Sequence, residues 1–240
     1  MGQHAEHGPL VRLAAFFAAF WAGAAEASCR LALVLALDVS SSVDASEYDQ
    51  QRLGLALALN AEDVRHAILR GGTGDVAIAV YEWSGMRQQT LHLDWTALRT
   101  ERDIDAVVAA LGGMERGYDD FPTALGYGLS YGATLMARAP SCARRVINIS
   151  GDGENNHGYG PELVRKHFPL EGVTVNGLAI GGDAPGIAEY YRERVISGPG
   201  AFVEIAVGFD EFETVMARKL FREINDMMLG GDTRPDRPRG

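Results

Sequence analysis

The sequence predicts a doubly wound α/β fold, in which helices cover both faces of a mostly parallel sheet. Apolar segments of strand length alternate with segments of helical periodicity from residue 30 to residue 225, as is typical of βαβ units. Arg30–Leu37 is almost continuously apolar, which favours a strand buried on both faces. Gln88–Trp95 alternates in polarity and follows the predicted strand Asp75–Trp83 across a short turn. This pair predicts one antiparallel strand at the edge of the sheet.

The remaining elements are predicted from the spacing of apolar residues. The first helix is expected to break near Asn60, Pro161 suits the first turn of a helix, and Asp210 is expected to cap the last helix. The predicted helices are 46–69, 102–111, 123–137, 160–168, 187–195 and 210–225, and the further strands are 145–150, 173–180 and 201–207.

The N-terminal segment has the layout of a secretory signal peptide. Arg12 precedes an apolar run, residues 13–25, which ends in a small-x-small pattern at residues 25–27. This layout predicts a signal peptide over residues 1–27 and a mature protein that is periplasmic or secreted. The apolar run is too short to favour stable membrane insertion.

Length and charge limit the kinds of protein this can be. The chain has 240 residues and a formal net charge of −10, and its length suits one domain. We assign residues 28–229 to that domain and residues 230–240, which are rich in Pro, Arg and Asp, to a disordered tail. An acidic chain is not expected to bind the phosphates of a nucleic acid or an anionic membrane surface.

The chain has two cysteines, Cys29 and Cys142. In an exported protein, two cysteines suggest one disulfide, and the alternative is a pair of buried thiols. Lipid attachment at Cys29 is disfavoured because Glu26 stands where such a signal requires an aliphatic residue.

Oxygen-bearing side chains are expected at one end of the predicted sheet. Asp38, Ser40 and Ser42 alternate directly after the first strand, so an extended backbone points all three to one side. Thr123 follows a loop, and Asp152 follows a later apolar strand. Ligand sites of such sheets lie at the carboxyl ends of the strands, and hard cations prefer oxygen ligands. The sequence therefore predicts a divalent-cation site there.

These motifs resemble the metal-ion-dependent adhesion site of the von Willebrand factor A (vWA) family. The family pattern is Asp-x-Ser-x-Ser after the first strand, a Thr in a later loop and Asp-Gly after the fourth strand. In this chain they are the segment 38–42, Thr123 and Asp152-Gly153. The resemblance covers roughly residues 30 to 225 and implies the Rossmann-like vWA fold. The segment 150–156 also looks like an uncharacterised bacterial, exported branch of the family.

The resemblance implies a role for each residue. Ser40, Ser42 and Thr123 would bind the cation directly, while Asp38 and Asp152 would hold it mainly through water molecules. Because the direct protein ligands would be neutral, the cation would keep most of its positive charge and attract an anionic oxygen. We therefore expect Mg²⁺, with Mn²⁺ or Ca²⁺ as alternatives, and a partner protein or ligand with an exposed carboxylate.

The sequence departs from the family pattern around the site. Asp119 and Asp120 occupy a loop where the family often has a pair of glycines, and Gly151 stands where Thr or Ser is usual. Glu154 and Asn155 follow the last motif and are candidate rim residues, although such a polar run is also typical of a solvated loop. These departures leave the specificity for a partner open.

The resemblance also bears on the cysteines and on the function. In the vWA strand order the first and fourth strands are neighbours, so Cys29 and Cys142, which precede them, are expected to form a disulfide. The expected function is a non-enzymatic, cation-dependent binding module. The alternative is metal-assisted hydrolysis of a phosphate or ester with Asp38 as a nucleophile. A third interpretation is a cation that only stabilises the fold.

Overall fold

The computed structural model describes Gly2 and residues 29–181 and 186–225. Apart from Gly2, the predicted signal peptide lies outside these residues, as does the predicted tail. In the described part of the chain, no helix is both long enough and apolar enough to cross a bilayer.

Strands and helices alternate along the described residues, as the sequence predicts. The strands are β1 (Cys29–Asp38), β2 (Asp75–Trp83), β3 (Gln89–Leu98), β4 (Cys142–Gly151), β5 (Thr174–Ile180) and β6 (Val203–Ala206). The helices are α1 (Ala45–Asn60), α2 (Glu62–Arg70), α3 (Glu101–Gly112), α4 (Leu125–Ala137), α5 (Pro161–His167), α6 (Ile187–Tyr190) and α7 (Phe212–Asn225). A π-helical turn, Tyr191–Val195, continues α6, and a 3₁₀ turn, Phe209–Glu211, precedes α7.

The six described strands form one sheet in the order β3-β2-β1-β4-β5-β6. Among them β3 alone is antiparallel, paired with β2 at the edge, so the predicted fold class is confirmed. The order of the strands reverses between β1 and β4. In such folds ligands bind at the carboxyl ends of the strands where the order reverses, which here are the ends of β1 and β4.

β1 is apolar from Leu31 to Leu37 because this part of the strand contributes to a core on each face of the sheet. Its odd-numbered leucines face a core that includes α1, α3 and α7, and its even-numbered small residues face a second core that includes α4 and the π-helical turn. These residues are Leu31, Leu33, Leu35 and Leu37 on one face and Ala32, Val34 and Ala36 on the other.

Some predicted element boundaries are wrong. α4 begins at Leu125 rather than Thr123, and β3 continues to Leu98 rather than ending at Trp95. Asp210 does not cap α7, because it lies inside the 3₁₀ turn that leads into the helix. Single-residue cap signals cannot distinguish such a tightened first turn from the helix itself.

The predicted disulfide is present. Cys29 and Cys142 are direct partners in the β1–β4 register, with their Cα atoms 4.5 Å apart and their sulfurs bonded. The bond therefore joins the amino-terminal ends of two neighbouring strands, at the opposite end of the sheet from the polar residues predicted to bind a cation.

A buried arginine ties several segments together at the amino-terminal end of the sheet. Arg30 is 2% exposed. Its guanidinium donates to the carbonyl oxygens of Ile68 at 3.0 Å, Gly74 at 3.2 Å and Ile224 at 2.9 Å. The last carbonyl groups of a helix lack partners within the helix, so Arg30 satisfies acceptors near the ends of α2 and α7.

Candidate metal centre

The chain turns over the carboxyl end of the sheet immediately after β1. Asp38 and Ser40 are fully buried, and Ser42 is exposed. The Ser40 backbone N–H donates to Asp38 Oδ1 at 2.8 Å, and Ser40 Oγ lies 3.2 Å from Ser42 Oγ. Gln51 of α1 donates to the Asp38 carbonyl at 2.8 Å. The turn thus holds one carboxylate and two hydroxyls on the same side, as their alternation predicts.

Two further loops bring oxygen atoms to this turn. Thr123 Oγ1 donates to Ser40 Oγ at 3.2 Å, and Ser42 Oγ donates to Asp152 Oδ1 at 2.8 Å. Thr123 is 4% exposed, and Asp152 is half-buried at the end of β4. The structure therefore brings together all five side chains that the sequence predicts as cation ligands, in one chain of hydrogen bonds.

Thr123 is held by the loop that follows β4. Its backbone N–H donates to Asn156 Oδ1 at 3.0 Å, and the Asn156 N–H donates to the Thr123 carbonyl at 2.9 Å. The next N–H, that of Ala124, donates to the Ser84 carbonyl at 2.8 Å. These bonds keep Thr123 out of α4, which is why the helix begins two residues later than predicted.

Arg116 fixes the turn after β1 from the side. Its Nη2 donates to the carbonyl oxygens of Val39 at 3.0 Å, Ser40 at 3.1 Å and Val43 at 2.8 Å, while its Nε donates to the Tyr118 carbonyl at 2.8 Å. One guanidinium therefore links the serine-bearing turn to the loop that leads to Thr123. Sequence reasoning missed this residue, because an arginine that binds carbonyl groups has no characteristic spacing.

We expect Arg116→Ala to lower the free energy of unfolding by about 2 to 3 kcal/mol, since several carbonyl groups would lose a charged donor. Cation affinity should fall with it, because the turn that carries Ser40 would no longer be fixed. Chemical denaturation and calorimetric titration measure the two effects. Arg116→Lys should recover only part of either, because an ammonium cannot reproduce the planar fork of a guanidinium. Unchanged stability in Arg116→Ala would contradict the assignment.

The predicted rim residues differ in their surroundings. Asp119, Asp120 and Glu154 are exposed. Asn155 is half-buried, and its side-chain oxygen accepts from the Gly126 N–H at 3.1 Å in the first turn of α4. Asn155 thus satisfies a helix-terminal donor, whereas the three carboxylates are accessible to solvent.

The charge balance of the centre is unusual for a protein interior. Asp38 Oδ2 is buried without a hydrogen-bond partner, and in the described residues neither Asp38 nor Asp152 forms an ion pair. Burial, and then the charge of Asp152, raise the pKa of Asp38 to about 8. Buried carboxylates are normally paired or bound to metal, so an unpaired carboxylate oxygen fits a site for a cation.

The donors available to a cation are mostly neutral. Over the described ranges, no group of three or more His, Cys, Asp or Glu side chains could hold a metal ion. The centre offers three hydroxyl oxygens and two carboxylates instead. An all-oxygen donor set suits Mg²⁺, Mn²⁺ or Ca²⁺.

Comparison with known families identifies the chain. Residues 28–228 match a family described as protein of unknown function, DUF1194. The chain belongs to the DUF1194 family. No curated protein matches this DUF1194 chain by sequence.

Solved structures confirm the vWA fold of this DUF1194 chain. A vWA protein from Catenulispora acidiphila is 16% identical, with a TM-score of 0.59 over 82% of this chain and 43% of that one. Mussel byssus proximal thread matrix protein 1, solved with a zinc-occupied metal-ion-dependent adhesion site, is 18% identical, with a TM-score of 0.56 over 81% and 47%. BatB from Bacteroides thetaiotaomicron is 15% identical, with a TM-score of 0.58 over 83% and 100%. The DUF1194 chain thus spans less than half of the first two.

The DUF1194 chain also places two tyrosines at the centre that sequence reasoning missed. The Tyr190 hydroxyl accepts from the Asn155 N–H at 3.2 Å. Tyr191 is fully buried, and its pKa is raised well above its usual value, first by burial and then by the charges of Asp38 and Asp152. The one available signal was Gly151, whose missing side chain leaves space for the Tyr191 hydroxyl.

Proposed function

We propose that this DUF1194 chain is a divalent-cation-dependent binding module that grips an acidic group of a partner. The observation that carries the proposal is the convergence of three hydroxyls and two carboxylates, which no basic side chain of the described residues pairs. Ser40, Ser42 and Thr123 would bind the cation directly, and Asp38 and Asp152 would hold it through water molecules. The bound cation would supply an open coordination position for an anionic oxygen.

The chemistry of the donors supports Mg²⁺ as the cation, with Mn²⁺ or Ca²⁺ as alternatives. Hydroxyl ligands add no negative charge, so a cation held this way would remain strongly electrophilic toward a carboxylate. Among similar folds, the mussel byssus matrix protein has been solved with zinc at its metal-ion-dependent adhesion site. That finding supports a divalent cation in the same place here and leaves its identity to experiment.

We also propose that the protein is exported. The signal-peptide layout of residues 1–27 supports this, and so does the disulfide between Cys29 and Cys142, because such bonds persist in oxidising compartments. The mature protein recovered from a periplasmic or secreted fraction should begin at Ser28, which N-terminal sequencing can establish.

The first test is calorimetric titration of the mature protein with Mg²⁺ or Mn²⁺. Wild type should bind, and Thr123→Ala should lose more than about tenfold in affinity, because it removes a direct ligand. The matched control is Thr134→Ala, since Thr134 is exposed on α4 and its hydroxyl donates to the Ser130 carbonyl in the same helix. A wild-type protein that binds neither ion would overturn the proposal.

Partner capture distinguishes binding from the other interpretations. Wild type should retain a carboxylate-bearing partner in Mg²⁺ and release it in a chelator, while Thr123→Ala should fail to retain it although the two proteins melt at similar temperatures without a cation. If the cation only stabilised the fold, wild type would retain no such partner in Mg²⁺, although Mg²⁺ would still raise its melting temperature. Cation-dependent hydrolysis of a phosphate or ester by wild type would favour the enzymatic alternative.

A further inference from the structure

Two buried oxygen atoms without partners lie beside Gly151, the residue before Asp152. Asp38 Oδ2 and the Tyr191 hydroxyl both lack a hydrogen-bond partner in the structure. A side chain at residue 151 would begin 2.7 Å from Asp38 Oδ2 and 2.6 Å from the Tyr191 hydroxyl. Both oxygens therefore border the same small space, which exists because residue 151 is glycine.

The fit of Tyr191 depends on glycines in two neighbouring strands. A Cβ at Gly177 of β5 would lie 2.7 Å from Tyr191 Cδ1, so the ring occupies the space that a side chain there would take. Neither Gly151 nor Gly177 has a positive φ, so both are required by space rather than by backbone conformation. The Tyr191 ring therefore packs against Gly177 in β5, and its hydroxyl reaches Gly151 at the end of β4.

The backbone at Tyr191 is also specialised. Tyr191 is the first residue of the π-helical turn Tyr191–Val195, and its carbonyl accepts from the Ile196 N–H at 3.1 Å. π-Helical turns are rare and are often found at functional sites. Two successive tyrosines at the junction of α6 and this turn point to the centre: the Tyr190 hydroxyl contacts the loop after Asp152, and the Tyr191 hydroxyl borders the space beside Asp38.

We infer that Tyr191 is a positioning residue of the cation site. Its hydroxyl and Asp38 Oδ2 are unpartnered in the structure, and when the cation is bound the hydroxyl donates to Asp38 Oδ2, directly or through one water molecule. The inference rests on the proposed cation site. A carboxylate that orients the water molecules of a cation is itself oriented by hydrogen bonds. A buried hydroxyl without a partner is unfavourable, and in this position donating to Asp38 satisfies both groups at once.

The test compares Tyr191→Phe with Tyr81→Phe by titration with Mg²⁺ and by thermal unfolding of the cation-free protein. Tyr191→Phe should weaken Mg²⁺ binding by about 10- to 100-fold without lowering the cation-free melting temperature, because it removes an unpaired hydroxyl. Tyr81 is the matched control, since it is also fully buried but donates to the Gly128 carbonyl at 2.7 Å. Tyr81→Phe should lower the melting temperature and leave the affinity unchanged.

A spectroscopic measurement supplies a second readout. Mg²⁺ is transparent in the near ultraviolet, whereas the absorbance of a tyrosine responds to the hydrogen bond of its hydroxyl. Mg²⁺ should therefore produce a tyrosine difference spectrum in wild type and in Tyr81→Phe, and none in Tyr191→Phe. A merely structural role for Tyr191 would not produce this pattern.

Each outcome decides between the two proposals. If wild type binds Mg²⁺ and Tyr191→Phe binds it equally well, the positioning role is overturned and the cation site stands. If Tyr191→Phe loses affinity but its cation-free form also melts at a clearly lower temperature, a structural role explains the loss and the inference is overturned. If wild type binds no Mg²⁺, both the inference and the proposed function fall.

Discussion

Replacement of both cysteines, Cys29→Ala with Cys142→Ala, should lower the free energy of unfolding by about 4 kcal/mol. The two residues are 113 positions apart, so the bond closes a long loop and removes many conformations from the unfolded chain. They are also direct neighbours in register, so the folded state needs no rearrangement to accommodate the bond. Denaturation by guanidinium chloride measures the loss.

The control for this prediction is the wild-type protein under reducing conditions, which should unfold at the same denaturant concentration as the double variant. Under conditions in which the variant is fully folded, its affinity for Mg²⁺ should equal that of wild type, since the bond lies at the opposite end of the sheet from the candidate metal centre. Equal stability of the oxidised and reduced proteins would show that the bond contributes nothing.

The second large effect is a dependence of stability on pH in the absence of metal. The pKa of Asp38 is raised from 3.8 to about 8, mainly by burial and then by Asp152. Between these values the folded protein keeps a proton that the unfolded chain has released. The stabilisation that protonated Asp38 gives the folded protein is therefore fully present below pH 3.8, decreases as pH rises above this value and is lost as pH rises through about 8. The free energy of unfolding should fall by as much as about 1.4 kcal/mol per pH unit.

Asp38→Asn isolates this effect from the titration of other groups. The amide cannot ionise. The difference in unfolding free energy between wild type and Asp38→Asn, measured in a chelator, should therefore change with pH between 3.8 and about 8. Saturating Mg²⁺ should restore wild-type stability near pH 8, because a cation favours the carboxylate. A difference that stays constant from pH 4 to pH 8 would show that Asp38 is ionised in the folded protein throughout.

The fold and the core of the candidate site could be predicted because both rest on local patterns. The apolar residues of β1 and the alternation of Asp38, Ser40 and Ser42 at its end can each be recognised without reference to any other part of the chain. The carboxyl-end rule for α/β sheets then places Thr123 and Asp152 near that turn. The edge hairpin could be predicted from the alternating polarity of Gln88–Trp95, and the disulfide from the strand order that the vWA resemblance implies.

The surrounding residues could not be predicted because their roles depend on packing across long sequence distances. Arg116 binds carbonyl groups more than 70 residues away. Tyr191 reaches the centre through space left by Gly151 and Gly177, a relation that no single segment contains. The start of α4 was also misplaced, because the N–H of Thr123 is bound by Asn156 in a different loop.

The arrangement around Arg30 determines how the domain can be oriented on a support. Cys29 begins β1 and Asn225 ends α7, and Arg30 holds the carbonyl of Ile224 beside the start of β1. Both ends of the described domain therefore emerge at one pole, while the hydroxyls and carboxylates lie at the other. A surface anchor, an affinity tag or a fused neighbour joined at either end would leave the candidate metal centre facing away from the attachment point, where the proposed partner could reach it.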